Sequence, residues 1–552
     1  MNQPRRRAAA ATAVVACTAL ALAACSGKAA PSADTGSSGS PTASAALLTT
    51  TPPAKGPLDK VTWNLWEGEP YTTDPFHSAD YKENTVNSNM CETLLAIQPD
   101  LSIKPNLAVS WDNPDPLTWV LHLRTGVTFW DGSPMTSEDV AYSLNRNLKD
   151  KGSFYNYLYG RVGSITASGA DQVTVKLTKP DYLLVDELAD YAGVVVSKKF
   201  WEAHPKDVGT PGVGVMCTGP FKFTSWTKGD NITLTKYDGY WDKTRAPKVT
   251  TLVFKFLTDE ASVTNALLSG GIDGAYDPPF SGLDQLQRSS VGKVFFGLHE
   301  SNMTIVYSNP AGAMSNLKLR QALNMAIDWD GIAKTILKGT GTPIRSMMPP
   351  TVFGKYKAAL TPAYDQLPQP QSAQYDAAKK LVAEASTDAK KPVVMAVPAN
   401  FTSQQFGSSV ADAAKRIGLN FTLKVVPTDQ YTNYLYDAKT RAGVDILFTD
   451  FWPNIPDPLD WLGIAALNGG SFNQYGYTRI DQMYGDALGE VDPVKRATMI
   501  GQIQAKTTAD LLPMVPGISH SSRLWMNKRI TGAPASFDYV YYPWAAGLGS
   551  AD

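Results

Sequence analysis

Histidine and cysteine are scarce in this chain of 552 residues. Its five histidines are scattered without the spacing that metal ligands show, so neither a metal centre nor a cofactor is expected. The chain has no G-x-S-x-G or H-E-x-x-H motif, which argues against a hydrolase. A formal net charge of −1 gives no sign of nucleic-acid binding, and no apolar run of membrane-spanning length follows the N-terminal segment.

The N-terminal segment has the features of an export signal. Three arginines at positions 5–7 precede an apolar run, and residues 1–24 are predicted to be a signal peptide. Its end, L-A-A-C with Cys25 last, resembles a lipobox, in which the cysteine becomes the acylated first residue of a bacterial lipoprotein. The expected location is the extracytoplasmic face of the cell membrane, with a lipid anchor on Cys25. An ordinary secretory signal that contains a cysteine is the alternative.

Residues 25–57 are rich in Ser, Thr, Ala, Gly and Pro and contain no aromatic residue. Such a stretch cannot bury enough apolar surface to offset the entropy of ordering, so it is predicted to be a disordered tether. The remaining chain, about 490 residues, can build large cores and should divide into more than one lobe.

Two cysteines lie beyond the tether, Cys91 and Cys217. An even pair in an oxidising compartment favours a disulfide, although two separate buried thiols remain an alternative. A bond would close a loop of about 126 residues, for which the chain-entropy model gives a stabilisation of roughly 4–5 kcal/mol at most.

The strongest local pattern runs from Trp119 to Tyr142. Alternating apolar residues predict a strand to Leu123, and a turn at Thr125-Gly126 leads into a second strand at 127–129. Thr136 and Asp139 then have the spacing of a capping box, which predicts the start of a helix. Upstream, an alternating strand is predicted at 61–66 and a helix through Met90, Leu94 and Leu95.

The same stretch carries a resemblance to a known family. Residues 121–140 read L-x-L-R-x-G-V-x-F-x-D-G-x-P-x-T-x-x-D-V, which closely resembles the signature of the peptide/nickel/opine-binding family, the large solute-binding proteins of ABC importers. Further matches follow in the family's order at 105–111, 218–221, 265–273 and 319–328, with a looser one at 375–381. Cys91 and Cys217 stand where the family has a tyrosine and a glycine, and this coincidence favours a bridge between them.

The resemblance implies an α/β fold of the periplasmic-binding-protein-like class II, with two lobes, a hinge and an extra small domain. Lobe I would comprise residues 58–90, 218–308 and 524–552; a small accessory domain, residues 91–217; and lobe II, residues 309–523. It also implies a monomeric, non-enzymatic receptor that closes on a small-molecule solute and delivers it to the permease and ATPase subunits of an ABC importer. The scattered histidines argue against the nickel branch.

Alternating strands and helices after Lys391 predict parallel strands at 393–397, 421–426 and 444–448. Ligands bind beyond the carboxyl ends of such strands. The rule selects three groups of candidate ligand-binding residues: Asn400 and Phe401; Asp450, Phe451, Trp452, Asn454 and Asp457; and Glu67 and Tyr71.

Asn454 departs from the family pattern. Its segment resembles the family's D-Y-x-D-P element, whose first aspartate holds the ammonium group of a bound peptide, and Asn454 stands at that position. Asp450 or Asp457 could supply the lost charge. Oligopeptides are the expected ligands, with oligosaccharides as the alternative because Trp452 and Asn454 suit them equally. A signalling-peptide sensor without a transport role also stays open. The aromatic residues could instead be core residues, and Asn454 and Asp457 could be turn residues.

Overall fold

The computed structural model of the protein describes residues 47–552. The predicted signal peptide, Cys25 and the first part of the predicted tether lie outside the described residues. The strands are, in chain order, β1 Leu58–Asn64, β2 Leu95–Ile97, β3 Ile103–Pro105, β4 Ala108–Asp115, β5 Thr118–Leu123, β6 Val162–Gly169, β7 Gln172–Leu177, β8 Phe221–Thr227, β9 Asn231–Lys236, β10 Val249–Lys255, β11 Gly274–Tyr276, β12 Gly292–Gly297, β13 Asn302–Tyr307, β14 Gly341–Pro343, β15 Val393–Pro398, β16 Phe421–Val426, β17 Ile446–Phe451, β18 Ile518–His520, β19 Ser522–Asn527, β20 Ile530–Thr531 and β21 Gly549–Ser550. The α-helices are α1 Tyr81–Asn87, α2 Ser137–Lys149, α3 Leu184–Glu187, α4 Lys198–Ala203, α5 Glu260–Ser269, α6 Leu283–Gln287, α7 Leu317–Ala326, α8 Trp329–Thr335, α9 Lys357–Asp365, α10 Tyr375–Glu384, α11 Phe401–Arg416, α12 Thr428–Tyr436, α13 Pro458–Ala465, α14 Asp481–Gly489 and α15 Pro493–Asp510.

The larger sheet has seven strands in the order β12-β19-β11-β1-β10-β9-β8. Its centre is parallel, because β1 pairs with both β10 and β11 in the same direction. Val61 and Trp63 of β1 are fully buried, as expected for a central strand covered on its faces. We call the part of the molecule that is built on this sheet lobe I.

The second sheet has six strands in the order β14-β18-β13-β17-β15-β16, and it forms lobe II. Strand β15 runs parallel to β16 and β17, so the parallel strands predicted after Lys391 are confirmed. Helix α11 begins after Asn400, whose side chain accepts a hydrogen bond from the Ser403 N–H. It ends before Gly418, whose φ of 90° favours glycine.

A four-stranded antiparallel sheet, β4-β5-β7-β6, forms a smaller unit with α2. Thr136 and Asp139 form the predicted capping box at the start of α2. The second strand predicted at 127–129 is absent from the described strands. That segment folds back across the tight turn at 131–133 and hydrogen-bonds to Ser133 and Met135 instead of joining a sheet.

The chain crosses between the two large sheets at residues 298–301, after β12, and at Ser521, after β18. The family resemblance implies that lobe I extends to residue 308, but Asn302 pairs with Phe451 and β13 therefore lies in the sheet of lobe II. Strand β19 likewise begins in lobe I at Ser522 rather than after residue 523. Backbone pairing over long sequence distances sets these boundaries.

The helix predicted through Met90 and Leu94 is wrong. Helix α1 ends at Asn87, and the N–H groups of Leu94 and Leu95 donate to the carbonyls of Gly193 and Leu188. Pairing with this distant segment replaces the helical hydrogen bonds that the apolar spacing predicts.

The end of the predicted tether is ordered against the body of the protein. Leu48 forms a bridge with Gly297, and Gly56 pairs with Ser550 at the C-terminus. These contacts use backbone groups, which the composition of the segment does not reveal. Residues 48–57 therefore do not belong to a disordered tether, contrary to the prediction.

A disulfide joins Cys91 to Cys217. Both cysteines are buried, and the bond connects the beginning and the end of the segment that contains the four-stranded sheet. The structure thus brings together the pair that the sequence analysis selects.

Candidate functional site

A cavity of about 1050 Å³ lies between lobe I and lobe II. Its walls include the segments that follow β1 in lobe I and β15 and β17 in lobe II, as expected for a ligand site at the carboxyl ends of strands. Most of its lining surface is apolar, with charged groups at a few places. We call this cavity the cleft.

Glu67 lies in the loop after β1 and lines the cleft. Its Oε2 atom is buried without a hydrogen-bond partner. Burial, with the nearby Asp80 carboxyl, raises the pKa of Glu67 to about 8 against the opposing effect of Lys82. Burial also raises the pKa of Asp80. This corner of the cleft therefore holds more carboxyl groups than it can ionise at neutral pH.

Asp450 faces the same region from the end of β17 in lobe II. His520 Nε2 lies 2.8 Å from Asp450 Oδ2 and 3.0 Å from Ser301 Oγ, so the carboxylate is tied to both crossovers between the lobes. Asp450 Oδ1 is buried and has no hydrogen-bond partner. The cleft thus presents an unpaired carboxyl oxygen from each lobe, one on Glu67 and one on Asp450.

Charged groups at the crossovers are paired within the protein. Arg523 lies 3.2 Å from Asp277, and its guanidinium group lies 3.6 Å from the centre of the Phe280 ring. Tyr539 donates a hydrogen bond of 2.9 Å to Asp277. Burial lowers the pKa of His299 well below its usual value, with a further contribution from His520. Except for Tyr539, these residues line the cleft.

Trp452 carries an aromatic contact across the cleft. The centre of its ring lies 3.9 Å from the centre of the Tyr81 ring, at the start of α1, and 5.7 Å from the centre of the Phe537 ring. The neighbouring Phe451 also lines the cleft but is 4% exposed and packs on Trp461 and Phe472. Trp452 is therefore the more accessible of the two predicted aromatic residues.

The side chain of Asn454 is occupied by other protein groups. Its Nδ2 donates to the Tyr157 hydroxyl at 2.9 Å, and its Oδ1 accepts from the Tyr541 hydroxyl at 3.3 Å. The Tyr157 hydroxyl in turn donates to Asp460 at 3.3 Å. Asn454 lines the cleft, but its amide joins three segments of the chain and has little capacity left for a ligand.

A group of buried carboxyls lies behind Asn454. Glu187 is 1% exposed, and neither of its carboxyl oxygens has a hydrogen-bond partner. Burial, followed by the charges of Asp460 and Asp190, raises the pKa of Glu187 well above its usual value. Burial also raises the pKa of Asp460 to about 7. These groups lie at the contact between lobe II and the segment around α3.

Asp457 is not a cleft residue. It is 3% exposed, and its Oδ1 accepts the Leu459 N–H at the start of α13, with Lys355 3.9 Å away. Because Pro458 begins the helix, the aspartate serves as its cap. The sequence pattern could not separate this role from ligand contact.

The remaining predicted residues lie at the mouth of the cleft. Phe401 is 55% exposed and Tyr71 is 58% exposed, and both line the cavity. The Lys82 ammonium lies 3.9 Å above the Tyr71 ring. Asn400 also lines the cleft, although its side chain caps α11.

Several cleft residues carry no signal in the sequence. Asp80, Tyr81 and Lys82 follow a loop without strand periodicity, and His520 and Arg523 lie about 65 residues beyond the last predicted binding segment. Among residues 47–552, no cluster of His, Cys, Asp or Glu could hold a metal ion. No helix in the same range is long and apolar enough to cross a membrane.

Comparisons with known proteins agree with this architecture. The profile of "Bacterial extracellular solute-binding proteins, family 5 Middle" matches residues 102–473, which is more than half of the chain. The glutathione-binding protein GsiB of Pectobacterium atrosepticum is 28% identical over 476 residues, covering 80% of this chain and 86% of the relative.

Solved structures share the fold. The periplasmic binding protein DppA of Helicobacter pylori, in complex with the peptide STSA, matches with a TM-score of 0.78 and 20% identity, covering 90% of this chain and 99% of that one. The oligopeptide-binding protein AppA of Bacillus subtilis, in complex with a nonapeptide, gives a TM-score of 0.77 and 19% identity, covering 90% and 100%. The chain therefore belongs to the bacterial extracellular solute-binding proteins of family 5, the substrate-binding proteins of ABC importers, and it is a binding protein rather than an enzyme.

Proposed function

We propose that this protein captures oligopeptides in the cleft and passes them to the permease of an ABC importer, while a lipid on Cys25 holds it at the outer face of the cell membrane. The observation that carries the choice of peptides is the pair of unpaired carboxyl oxygens on Glu67 and Asp450. A buried ammonium group needs a charged partner, and these atoms can replace the charge that the family has at the position of Asn454.

The relatives support the same ligand class. Curated relatives are named for glutathione, which is itself a tripeptide, and two structural neighbours hold peptides. Oligosaccharides are the second candidate, because Trp452 offers an aromatic ring in the cleft. A neutral sugar would leave the carboxyl groups in the cleft without a counter-charge, so we place peptides first.

The test is thermal unfolding of the purified protein with four ligand sets: free oligopeptides, the same peptides with acetylated N-termini, oligosaccharides and glutathione. Binding to the folded state at a hundred times the Kd adds about 2.7 kcal/mol of stability, which is readily seen as a higher Tm. We expect a rise with free peptides that acetylation reduces. A rise with oligosaccharides alone would contradict the proposal.

A further inference from the structure

The charge of the cleft is one-sided. Among the described residues that line it, seven are Asp or Glu, whereas the only lysine and arginine are Lys82 and Arg523. The two histidines of the lining, His299 and His520, lie at the crossovers, and the first is kept neutral by burial. The cleft is therefore acidic in spite of the nearly balanced charge of the whole chain.

Both cations already have partners. Arg523 is held between Asp277 and the Phe280 ring. Lys82 stands over the Tyr71 ring, and although burial opposes it, the neighbouring carboxyls of Glu83, Glu67 and Asp80 raise the pKa of its ammonium group. A ligand carboxylate could reach either cation only in competition with these groups, so the cleft has little to offer to an anion.

Not every carboxyl group in the cleft is open to a ligand. Both oxygens of Glu69 accept hydrogen bonds, from the Trp226 indole at 2.7 Å and from the Gly229 N–H at 3.1 Å. Glu67, two residues earlier in the same loop, has an oxygen without any partner, as does Asp450 on the opposite lobe. The unpaired acidity is thus concentrated at one place between the lobes.

Aromatic rings surround that place. Tyr81, which packs on Trp452, lies close enough to Asp450 and Glu67 for both charges to raise the pKa of its hydroxyl, after the larger effect of burial. Asp80 and Glu67 act on Tyr436 in the same way. Carboxylates combined with the faces of aromatic rings form a favourable environment for an organic cation.

We propose that the cleft selects peptides with excess positive charge, and that a ligand ammonium or guanidinium group binds between Glu67 of lobe I and Asp450 of lobe II. This inference rests on the proposed function and narrows its substrate class. Because the two carboxyl groups belong to different lobes, a cation that contacts both favours the closed arrangement. The Glu67 carboxyl gives up its proton when the cation arrives, so binding of the peptide and release of a proton are linked.

The test compares three tripeptides of equal length, Lys-Ala-Lys, Gln-Ala-Gln and Glu-Ala-Glu, by isothermal titration calorimetry on the purified protein at pH 7. We expect the Kd of the lysine peptide to be at least about tenfold lower than that of the glutamine peptide, with the glutamate peptide weaker still. Titrations in two buffers with different ionisation enthalpies should show release of about one proton for each lysine peptide bound.

Two variants that each replace a carboxyl group of the same loop by an amide separate the local site from the general field. Glu67→Gln should reduce the preference for lysine over glutamine to less than about threefold and abolish the proton release, whereas Glu69→Gln should preserve both. Asp450→Asn provides a second variant from the other lobe if Glu67→Gln does not fold. The comparison of the three peptides on the unaltered protein needs no variant.

The outcomes separate the two proposals. Equal binding of the lysine and glutamine peptides, or tighter binding of the glutamate peptide, would overturn the charge selection and leave peptide capture standing. Binding of oligosaccharides with no response to any peptide would overturn peptide capture, and the charge selection with it.

Discussion

Neither carboxyl oxygen of Glu187 has a hydrogen-bond partner. Ionising it there would leave a charge in a buried region next to two other acids, Asp190 and Asp460. The group therefore keeps its proton in the folded protein at pH values at which the unfolded chain has lost it. Glu67 and Asp460 behave in the same way, since their pKa values are raised to about 8 and about 7.

These raised pKa values predict how stability depends on pH. Because the folded state binds more protons than the unfolded state, the free energy of unfolding should fall as the pH rises from about 5 towards 8. The slope is about 1.4 kcal/mol per pH unit for each proton so retained. Glu187→Gln removes one such group and should make the decrease shallower, as measured by urea unfolding between pH 5 and 8.

The exposed Glu202 gives the matched control. Glu202→Gln makes the same substitution at the surface and should leave the pH dependence of the unfolding free energy unchanged. If the unfolding free energy of the Glu187→Gln variant fell with pH as steeply as that of the unaltered protein, the pKa of Glu187 would be the same in the folded and unfolded states. That result would contradict the prediction.

Single residues were also the hardest part of the site to predict. The sequence selects Glu67 and Asp450 from their positions after strands, and both lie in the cleft. It cannot show that the amide of Asn454 is taken by Tyr157 and Tyr541, because these partners are about 300 and 90 residues away. Hydrogen bonds between distant segments leave no local pattern.

At the scale of elements, prediction depends on whether local signals decide the structure. The strands β15, β16 and β17 and helix α11 follow from periodicity, and the Gly418 position marks the end of the helix. The segment at 88–95 fails because Leu94 and Leu95 pair with residues near 190 rather than within a helix. Local spacing therefore predicts an element where local hydrogen bonds form it. It does not predict where hydrogen bonds to a distant segment take the place of a helix.

Trp452, the residue after β17, contacts Tyr81, the first residue of α1. Trp452→Ala removes a ring that contacts the other side of the cleft, and an aromatic pair contributes about 0.5–1.5 kcal/mol beyond its buried area. We expect peptide affinity, measured by isothermal titration calorimetry, to fall by about tenfold while the Tm of the free protein changes little. Trp452→Phe keeps a ring in place and should retain affinity within about threefold. Unchanged affinity in Trp452→Ala would exclude this residue from the ligand site.

At the scale of the whole molecule, the family motifs run through most of the chain, so the class of protein and its fold could be predicted together. The positions of the crossovers could not, since β13 and β19 are assigned to their sheets by pairing with Phe451 and with β11 and β12. The order of segments was thus predictable from resemblance, and their boundaries were decided by contacts.

The proposed anchoring is also a property of the whole molecule. We expect the protein in the membrane fraction, with an acyl group on an N-terminal Cys25 in mass spectra, because more than one acyl chain makes such anchoring stable. Cys25→Ala should remove the acyl mass, whereas Cys17→Ala, within the predicted signal, should not. An unacylated N-terminus in the unaltered protein would contradict a lipid anchor.

The disulfide between Cys91 and Cys217 makes the segment between them a side branch with respect to mechanical force. Tension applied along the backbone passes directly from one cysteine to the other and bypasses a sequence separation of 126 residues. At about 3.3–3.6 Å per extended residue, on the order of 400 Å of chain stays outside the line of force. The four-stranded unit can therefore bear no load from a pull on the two ends of the protein until a reductant opens the bond.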